Sequence, residues 1–599
     1  MANTPYTGLE DTALLLKLKI DGVDMKDIYG IKSIFVNHAI NRISFAELIL
    51  IGEVEIDSKN IEITDSDDFR PGKLVEIFAG YGDGQTNSIF TGIIVKHTVK
   101  LDAGNNFIFT IECKHEAVKL TFTGKDRYFE KQTDDAIIKS IIGEYGINCT
   151  VAACPEVNES MFQKMSSDWD FILSRCDFNG LIVTLDSGSG IRIDNPKVSG
   201  SSVLTLEAGA SIISFEGTLN AEFQPLGVKA SAWDFTSQSI IEATAAEPGM
   251  NDQGNIKPKE LPSKLSQSDL HVISTTPMTT GALKQWADGI LLRKRLNAFK
   301  GTVKYYGNAL AKTGSIIELK GVGKKLSGQA FVSAVSHTFD SGSWNTSVSF
   351  GLENNFIAES PGFSYPGANG QLPEMHGLQL ATVKKIDQDP ENLYRIQLEI
   401  PSGSDKPNHT WARMAQFYAT NKSGSFFLPE IGDEVVLGFL DNDPRFPIIL
   451  GSLYNGKNSA PYSSDDYNNT KAFVTRSNLK IEFDDDKKNI SILTPGQNSI
   501  IISDDGKSIE IKDQHQNSIK LSADGITIDS AKDIKISAKG NVEIKALAEA
   551  MVTAKADMTI AGLNVTANAD VGFIAKGNAT AELSASGQTT VKGAIVMIN

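Results

Sequence analysis

The chain has 599 residues, of which 41% are apolar and 22% charged, and this length allows roughly four domains. No apolar run approaches the roughly 18 residues of a membrane-spanning helix, and we expect no signal peptide at the amino terminus. A net charge of −16 argues against nucleic acid as a partner, because binding to phosphates needs a basic surface. Four cysteines are too few for a disulfide framework and are expected to be free thiols: Cys113, Cys149, Cys154 and Cys176.

The first strands are expected between Leu14 and Val118, where short runs alternate apolar and polar residues. Gly, Asp and Asn separate the runs, as at Asp21-Gly22. Alternation with period two puts every second side chain on one face of a strand, and these separators favour turns. The pattern predicts an antiparallel barrel or sandwich.

Two helices are expected next. The run TDD at 133–135 precedes isoleucines at helical spacing from Ile137 to Ile142, which predicts a capped helix. The run SDWD at 167–170 resembles a capping box, and its helix is expected to stop near residue 179. Strands are expected to resume after it.

The following stretch is expected to contain a linker and one more helix. Residues 245–275 are polar, contain three prolines and lack periodicity, which predicts an exposed loop or linker. An apolar stripe from Leu283 to Leu296 predicts a helix, and the basic residues 293–295 near its end would favour the helix dipole. Residues 1–360 are predicted to form one domain, followed by a Pro/Gly linker at 361–373.

Residues 374–462 are predicted to form a small closed barrel. Residues 435–440 make a hydrophobic strand after a Gly-Asp turn, and Pro444 and Pro447 allow only a loop or a strand edge before the next apolar run. Barrel closure would remove sheet edges that otherwise remain open for pairing.

Several motifs of this region occur in a characteristic order. They are Asp389-Pro390 with Tyr394-Arg395, Trp411-Ala412-Arg413, Pro429 to Val435 (including Asp433), Asp443 to Pro447, and Leu450 to Asn455. Together they resemble the OB-fold-like small barrel of VgrG proteins, the spike proteins of type VI secretion and related contractile injection systems.

Upstream motifs are similar to the amino-terminal hub of the same family. They are SDWDF at 167–171, Ala232-Trp233-Asp234 and His337-Thr338-Phe339. The resemblance implies a hub of two related β-barrel-like subdomains with a few helices. Three subunits would then present six similar barrels, which could match a threefold spike to a hexameric tail-tube protein. The resemblance also implies that the effectors are separate proteins. It implies further that this protein is made in the cytoplasm, assembled at the tip of the tail tube and ejected on contraction.

The carboxyl-terminal segment from 470 to 599 contains apolar-x-apolar pairs whose spacing settles at eight residues. Both members of a pair lie on one face of a short strand. A unit with one apolar edge has no core of its own, so it must stack and close against other faces. The pairs predicted to form the spike core are Ile526 and Ile528, Ile534 and Ile536, Val542 and Ile544, and Met558 and Ile560.

The other faces come either from later coils of the same chain or from sister chains. A single-chain β-helix needs roughly 18 or more residues per coil with three different faces, and the sequence is interpreted as lacking such a period. The eight-residue rung favours an intertwined trimeric β-helix, a triangular prism over residues 463–599. A monomeric solenoid is the alternative.

The end of the sequence is an apolar run that needs a cover. It is similar to family termini on which a small conical PAAR-type tip protein sits. The residues predicted to bind this partner are Ile595, Val596, Met597, Ile598 and Asn599. Burial in the trimer's own end is the alternative.

No catalytic, cofactor-binding or metal site is predicted, because no motif of those classes is complete. His515 could bind an ion only as a trio on a threefold axis. Aspartates at 484–486 and 504–505 are interpreted as turns. The alternative function, a polysaccharide-active β-helix or tail-associated hydrolase, would need those carboxylates. A trimeric adhesin would need an export signal.

The sequence thus predicts a mainly β protein with a hub, a small barrel and a trimeric spike. Its predicted function is non-enzymatic: capping the tail tube, puncturing a target-cell membrane and delivering effectors.

Overall fold

The computed structural model describes residues 13–52, 62–82, 85–101, 107–185, 188, 190–234, 237–274, 276–359, 367–368, 371–401 and 409–598. These residues are mainly in strands, as predicted. The chain divides into two compact units, Met1–Asn455 and Gly456–Asn599. The first unit contains both the hub and the small barrel, and the boundary at 361–373 stays a prediction. None of the described helices has the length and apolar character needed to span a membrane.

The first half of the hub is an antiparallel sheet. Alternate residues of its strands are buried, such as Ile34, Leu48 and Phe109, so the period-two pattern fills one core. Its elements are β1 (Leu14–Ile20), β2 (Val23–Asp24), β3 (Gly30–Ala39), β4 (Phe45–Gly52), α1 (Glu62–Asp65), β5 (Leu74–Tyr81), β6 (Asn87–Leu101) and β7 (Phe107–Lys114).

An α/β segment follows. Ser167 is the N-cap of the predicted helix: its hydroxyl accepts a hydrogen bond from the Asp170 amide at 3.0 Å and donates one to the Asp170 carboxylate at 2.7 Å, in place of the backbone contact of a full capping box. The elements are β8 (Gly124–Thr133), α2 (Asp134–Gly143), β9 (Asn148–Val151), β10 (Val157–Ser167), α3 (Asp168–Phe178), β11 (Ile182–Leu185) and β12 (Gly190–Asp194).

The second half of the hub begins at Leu204. Part of the predicted linker at 245–275 is in fact a short helix and a strand, β17. Three of the five residues of β17 are apolar, and it pairs in parallel with β15, so a short strand was hidden in a segment that is polar on average. The elements are β13 (Leu204–Glu207), β14 (Ile212–Leu219), β15 (Val228–Asp234), β16 (Ser239–Thr244), α4 (Leu261–Lys264), β17 (Leu270–Ser274), α5 (Thr280–Asn297), β18 (Phe299–Tyr306), β19 (Ile316–Lys320), β20 (Gly328–Asp340) and β21 (Ser343–Phe350).

The two halves join in one 13-stranded sheet through the pairing of β3 with β20. His38 opposes Val335 and His337 opposes Val36, so a local twofold axis relates the two histidines. Each Nδ1 lies beside a hydroxyl of its own half, Ser44 at 2.9 Å and Thr346 at 3.0 Å. This matched pair supports the prediction of two related barrel-like halves.

The small barrel is closed in the order β22-β23-β24-β28-β27, as predicted. Its motif residues organise loops: Asp389 accepts a hydrogen bond from the Arg395 guanidinium at 2.6 Å, and Asp443 accepts one from Arg445 at 2.7 Å. The strands are β22 (Gln379–Lys385), β23 (Ile396–Glu399), β24 (His409–Met414), β25 (Ala419–Thr420), β26 (Ser423–Gly424), β27 (Glu434–Phe439) and β28 (Pro447–Leu453).

The second unit begins with a seven-stranded antiparallel meander, in which each strand pairs with the next along the chain. Its strands are β29 (Thr470–Val474), β30 (Lys480–Asp484), β31 (Asn489–Leu493), β32 (Ser499–Ser503), β33 (Ser508–Lys512), β34 (Ser518–Ser522) and β35 (Gly525–Asp529).

A buried ion pair holds the segment that leaves the hub. The Asp177 carboxylate on α3 pairs with the Arg293 guanidinium on α5 and accepts a hydrogen bond from the Ile357 amide at 2.7 Å. Arg293 also donates to the Asn355 carbonyl at 3.1 Å and lies over the Phe356 ring. The predicted helix α5 is thus present, but Arg293 is an interior anchor as well as a charge near a helix end.

We expect Arg293→Met to destabilise the hub by about 3–5 kcal/mol, because it leaves the Asp177 carboxylate buried without its partner. Chemical unfolding followed by tryptophan fluorescence would measure the loss. Lys284→Met, on the same helix, breaks the half-exposed pair with Asp288 and should cost less than about 1 kcal/mol. Equal effects of the two substitutions would contradict the anchoring role.

Candidate functional site

Two columns of apolar side chains run along one face of the β29–β35 meander. Antiparallel pairing sets the apolar pairs of neighbouring strands opposite one another, so that Ile490 opposes Ile502 and Ile492 opposes Ile500. One column contains Phe473, Ile481, Ile492, Ile500, Ile511, Ile519 and Ile528; the other contains Phe483, Ile490, Ile502, Ile509, Leu521 and Ile526.

This apolar face is open in the single chain. Ile500 is 38% exposed and Ile511 44%, although both lie in the middle of the sheet. An open concavity of about 600 Å³ is lined by members of the first column and by Ile534. A continuous exposed apolar surface on a soluble protein marks an interaction site.

The opposite face has a different composition. Its central column contains Glu482, Ser491, Ile501, Glu510, Lys520 and Thr527. Five of these six side chains are polar or charged. The meander is therefore amphipathic, with one face suited to water and one to a partner surface.

The turns at one edge of the meander form an asparagine ladder. The Asn498 side-chain oxygen accepts a hydrogen bond from the Gln514 amide in the next turn at 3.1 Å, and Asn517 accepts one from the Ala531 amide at 3.1 Å. Each asparagine also donates within its own turn, to Thr494 or Asp513. The ladder satisfies turn backbone groups that strand pairing does not reach.

The meander has a longer repeat than the eight-residue rung, because positive φ values recur at the evenly spaced positions Asn478, Gln497 and Gln516. The sequence interpretation that no longer period exists is therefore wrong for the segment from 470 to 529. The signal was present as the run QNS at 497–499 and again at 516–518. The repeat is a pair of antiparallel strands rather than a three-faced coil.

Beyond Ser530 the chain changes to an extended coil with a bend at each rung corner. Strands are not paired anywhere in residues 532–598 as described, and every residue from 531 to 598 is exposed. Successive bends are eight residues apart, with one interval of seven. They lie at 531–532, 539–540, 547–548, 555–556, 563–564, 570–571, 578–579, 586–587 and 594–595.

The predicted spike-core residues divide between these two segments. Ile526 and Ile528 lie on β35 at the end of the two columns. The other pairs occupy extended stretches between bends: Ile534 and Ile536, Val542 and Ile544, and Met558 and Ile560. All eight are exposed in the single chain. Their role as a core stays a prediction.

Ile595 lies in the last bend, and Val596, Met597 and Ile598 follow it. Ile595 is 82% exposed, Val596 48%, Met597 87% and Ile598 91%. Asn599 lies outside the described residues. Tip binding stays a prediction, with the apolar run available to a partner.

The acidic clusters form turns. The Asp484 carboxylate accepts a hydrogen bond from the Lys487 amide at 3.0 Å, and this contact holds the pKa of Asp484 below its usual range. Lys488 lies 3.8 Å from Asp505 across neighbouring turns. A lowered pKa suits a fixed turn anion rather than a general acid. No group of three or more metal-ligating side chains is found in the described ranges.

Three of the four cysteines, Cys113, Cys154 and Cys176, are buried as free thiols and Cys149 is partly exposed. Burial raises the pKa of Cys154 to about 11, with nearby carboxylates contributing. A neutral buried thiol is unreactive. This agrees with the expectation of free cysteines.

Three family models match the chain. The Alg8 N-terminal domain matches residues 10–341, the type VI secretion system/phage-baseplate injector OB domain matches 379–454, and the phage baseplate V C-terminal trimerisation domain matches 489–599. The OB-domain match coincides with the closed barrel, and the trimerisation match begins at β31.

Curated relatives are similar over shorter stretches. The type VI secretion system spike protein VgrG3 of Vibrio cholerae is 30% identical over 139 residues, 21% of this chain and 14% of that protein. The actin cross-linking toxin VgrG1 of Vibrio cholerae is 31% identical over 100 residues, 15% of this chain and 9% of that protein. These alignments span less than a fifth of each relative's length. They confirm the resemblance to VgrG spike proteins.

Among solved structures, the E. coli c3393 protein, a component of the type VI secretion system, aligns with a TM-score of 0.38 at 13% identity. The alignment covers 73% of this chain and 100% of that chain.

If three chains close over the apolar face, Ile511→Ser should destabilise the assembly by roughly 1–3 kcal/mol per chain, because each copy loses a buried aliphatic side chain. Thermal dissociation followed by native mass spectrometry would report this. Glu510→Ser changes the adjacent residue on the opposite face and should leave the midpoint nearly unchanged. If Ile511→Ser and Glu510→Ser lowered the midpoint temperature of dissociation equally, the result would argue against burial of the apolar face.

Proposed function

Since the chain belongs to the Alg8 N-terminal domain family and also carries the injector OB and trimerisation domains, we propose that it is the trimeric spike of a contractile injection system. Its hub would cap the tail tube and its carboxyl-terminal shaft would point forward. Sheath contraction would drive the shaft through a target membrane together with effector proteins.

The observation that carries this proposal is the unpaired coil at 531–598. An extended chain that leaves its backbone N–H and C=O groups to water and exposes Ile, Val and Leu at every rung gains little by folding alone. Three such coils wound together would pair their backbones and enclose their aliphatic pairs. An eight-residue rung with one apolar pair suits one side of a triangular prism.

The amphipathic meander supports the same arrangement. Most side chains in its two columns are already half covered or more, so complete burial would contribute roughly 1 kcal/mol apiece. Three meanders packed through these faces would enclose an aliphatic interior and leave Glu510 and Lys520 outside. A rod that is filled along its length resists bending, which is what puncturing requires.

The arrangement of the hub is consistent with binding to a tail tube. Its two halves share one sheet and place a buried histidine at matched positions, so a trimer would present six related units. A hexameric tail-tube protein has the same number of subunits. We propose that contact between these rings converts sixfold into threefold symmetry.

At the far end, the exposed run from Ile595 to Ile598 would seat a PAAR-type tip protein. The spike itself would act mechanically and carry its effectors as separate proteins. It would be made in the cytoplasm, assembled at the end of the tube and ejected on contraction.

Native mass spectrometry of the full chain tests the trimer. We expect a species with three times the mass of one chain at micromolar concentration. The shaft should then protect backbone amides of residues 531–598 from hydrogen exchange, because pairing between chains would satisfy them. A folded species with the mass of a single chain and the same protection would contradict the proposal.

Tip binding is tested by the double substitution Ile595→Ser with Ile598→Ser. We expect it to abolish co-purification of a tip protein and leave the trimer mass unchanged, since it removes only apolar side chains at the end. Val571→Ser, also fully exposed in the single chain but three rungs earlier, is the matched control. If the double variant still co-purified with the tip protein, the binding site for the tip protein would lie outside Ile595 and Ile598.

A further inference from the structure

The small barrel displays an aromatic hairpin, defined here as residues 417–427. Ala419 pairs with Gly424 and Thr420 with Ser423, and Phe417 and Phe426 lie two residues outside this pairing, one on each side. Phe417 is 101% exposed and Phe426 77%. Two exposed rings present a large unburied apolar surface, since burying a Phe removes about 150–250 Å² from water.

The backbone of the hairpin is fixed. The Ser425 amide donates to the Tyr418 carbonyl at 2.8 Å, and the Tyr418 amide donates to the Ser425 hydroxyl at 3.2 Å. Gly424 has a φ of +143°, and a Cβ there would lie 2.3 Å from the Tyr418 carbonyl oxygen. Only glycine fits this position. The turn that carries the rings is therefore preorganised, which lowers the entropy cost of docking.

A second apolar surface, the leucine wall, lies on the outside of strands β22, β27 and β28. Leu380 pairs with Val436, and Val436 pairs with Gly451 on the next strand. A β-bulge at Leu450 turns the Leu450 side chain outward. Leu380 is 47% exposed and Leu450 53%. Gly451 has open space where a side chain would stand, so the wall contains a shallow depression.

A homotrimer with cyclic symmetry needs two different surfaces on each subunit, because the contact that closes a ring is head-to-tail. The barrel has two, a projecting one and a shallow one, and both are apolar. Only residues 456–469 separate the barrel from β29, a tether of at most roughly 50 Å. A trimeric shaft would therefore hold three barrels at an effective concentration on the order of millimolar.

We propose that the aromatic hairpin of one copy docks on the leucine wall of the next, closing three small barrels into a ring. This inference rests on the proposed trimer and names the partner of both surfaces as a second copy of this chain. The ring would join the barrels directly and not only through the shaft.

Cysteine cross-linking of the full chain tests the contact. The variant carries Asn421→Cys at the hairpin tip, Thr382→Cys beside Leu380, and Cys149→Ser to remove the partly exposed native thiol. With a short bismaleimide we expect a denaturing-gel ladder of dimer and trimer. The two single-cysteine variants should give no ladder, because a head-to-tail contact separates identical positions.

Adding Phe417→Ser and Phe426→Ser should lower the cross-linked fraction at least tenfold while native mass still reports a trimer. Tyr394→Ser removes a ring of the same barrel that is 90% exposed and outside both surfaces, and should have no effect. If the cross-links formed only within one chain, or if an intact trimer gave no ladder, the proposed ring contact would be wrong. Neither result would contradict the proposed function. A monomeric native mass would overturn both.

Discussion

The proposed shaft depends on backbone hydrogen bonds that the described residues past Ser530 do not make within one chain. In the hub, the small barrel and the meander, strands find partners within the same polypeptide, so their backbone groups are satisfied before any assembly. Past Ser530 this stops, and the described chain continues to residue 598 in an extended conformation without strand partners. Because unpaired backbone cannot be buried cheaply, the coil either stays in water or recruits copies. Everything proposed about a stiff shaft follows from the second outcome.

In the hub, one continuous sheet joins two sets of strands. Its halves meet strand to strand at β3 and β20, which makes the junction as stiff as the interior of a sheet. The exit segment is then fixed by the Asp177–Arg293 pair, whose charges are buried and contact backbone as well as each other. Force applied along the chain at residue 357 would be carried directly into α3 and α5.

Much of this organisation could be predicted from local pattern. Alternation indicated the strands of the hub, the capping box at Ser167 indicated the start of α3, and the order of motifs from Asp389 to Asn455 indicated the small barrel. The pairing of β17 with β15 could not be predicted, because the short apolar run of β17 lies in a segment rich in polar residues and prolines and its partner strand is distant in sequence. The two-strand repeat of the meander was missed because the eight-residue spacing farther along dominates the pattern. The ion pairs of the buried Arg293 and Arg295 also depend on residues distant in sequence, which the local pattern does not reveal.

The asparagine ladder bears on alignment between chains. A rod made only of identical eight-residue rungs does not define the register between its chains. If one chain slides by a single rung, nearly every residue again meets the same type of neighbour. The meander breaks that degeneracy: its turns at Thr494 and Asp513 are chemically distinct, and Asn517 ties the last of them to Ala531, where the repetitive part starts. In the proposed trimer, this contact would give each chain the same defined starting point for the repetitive part.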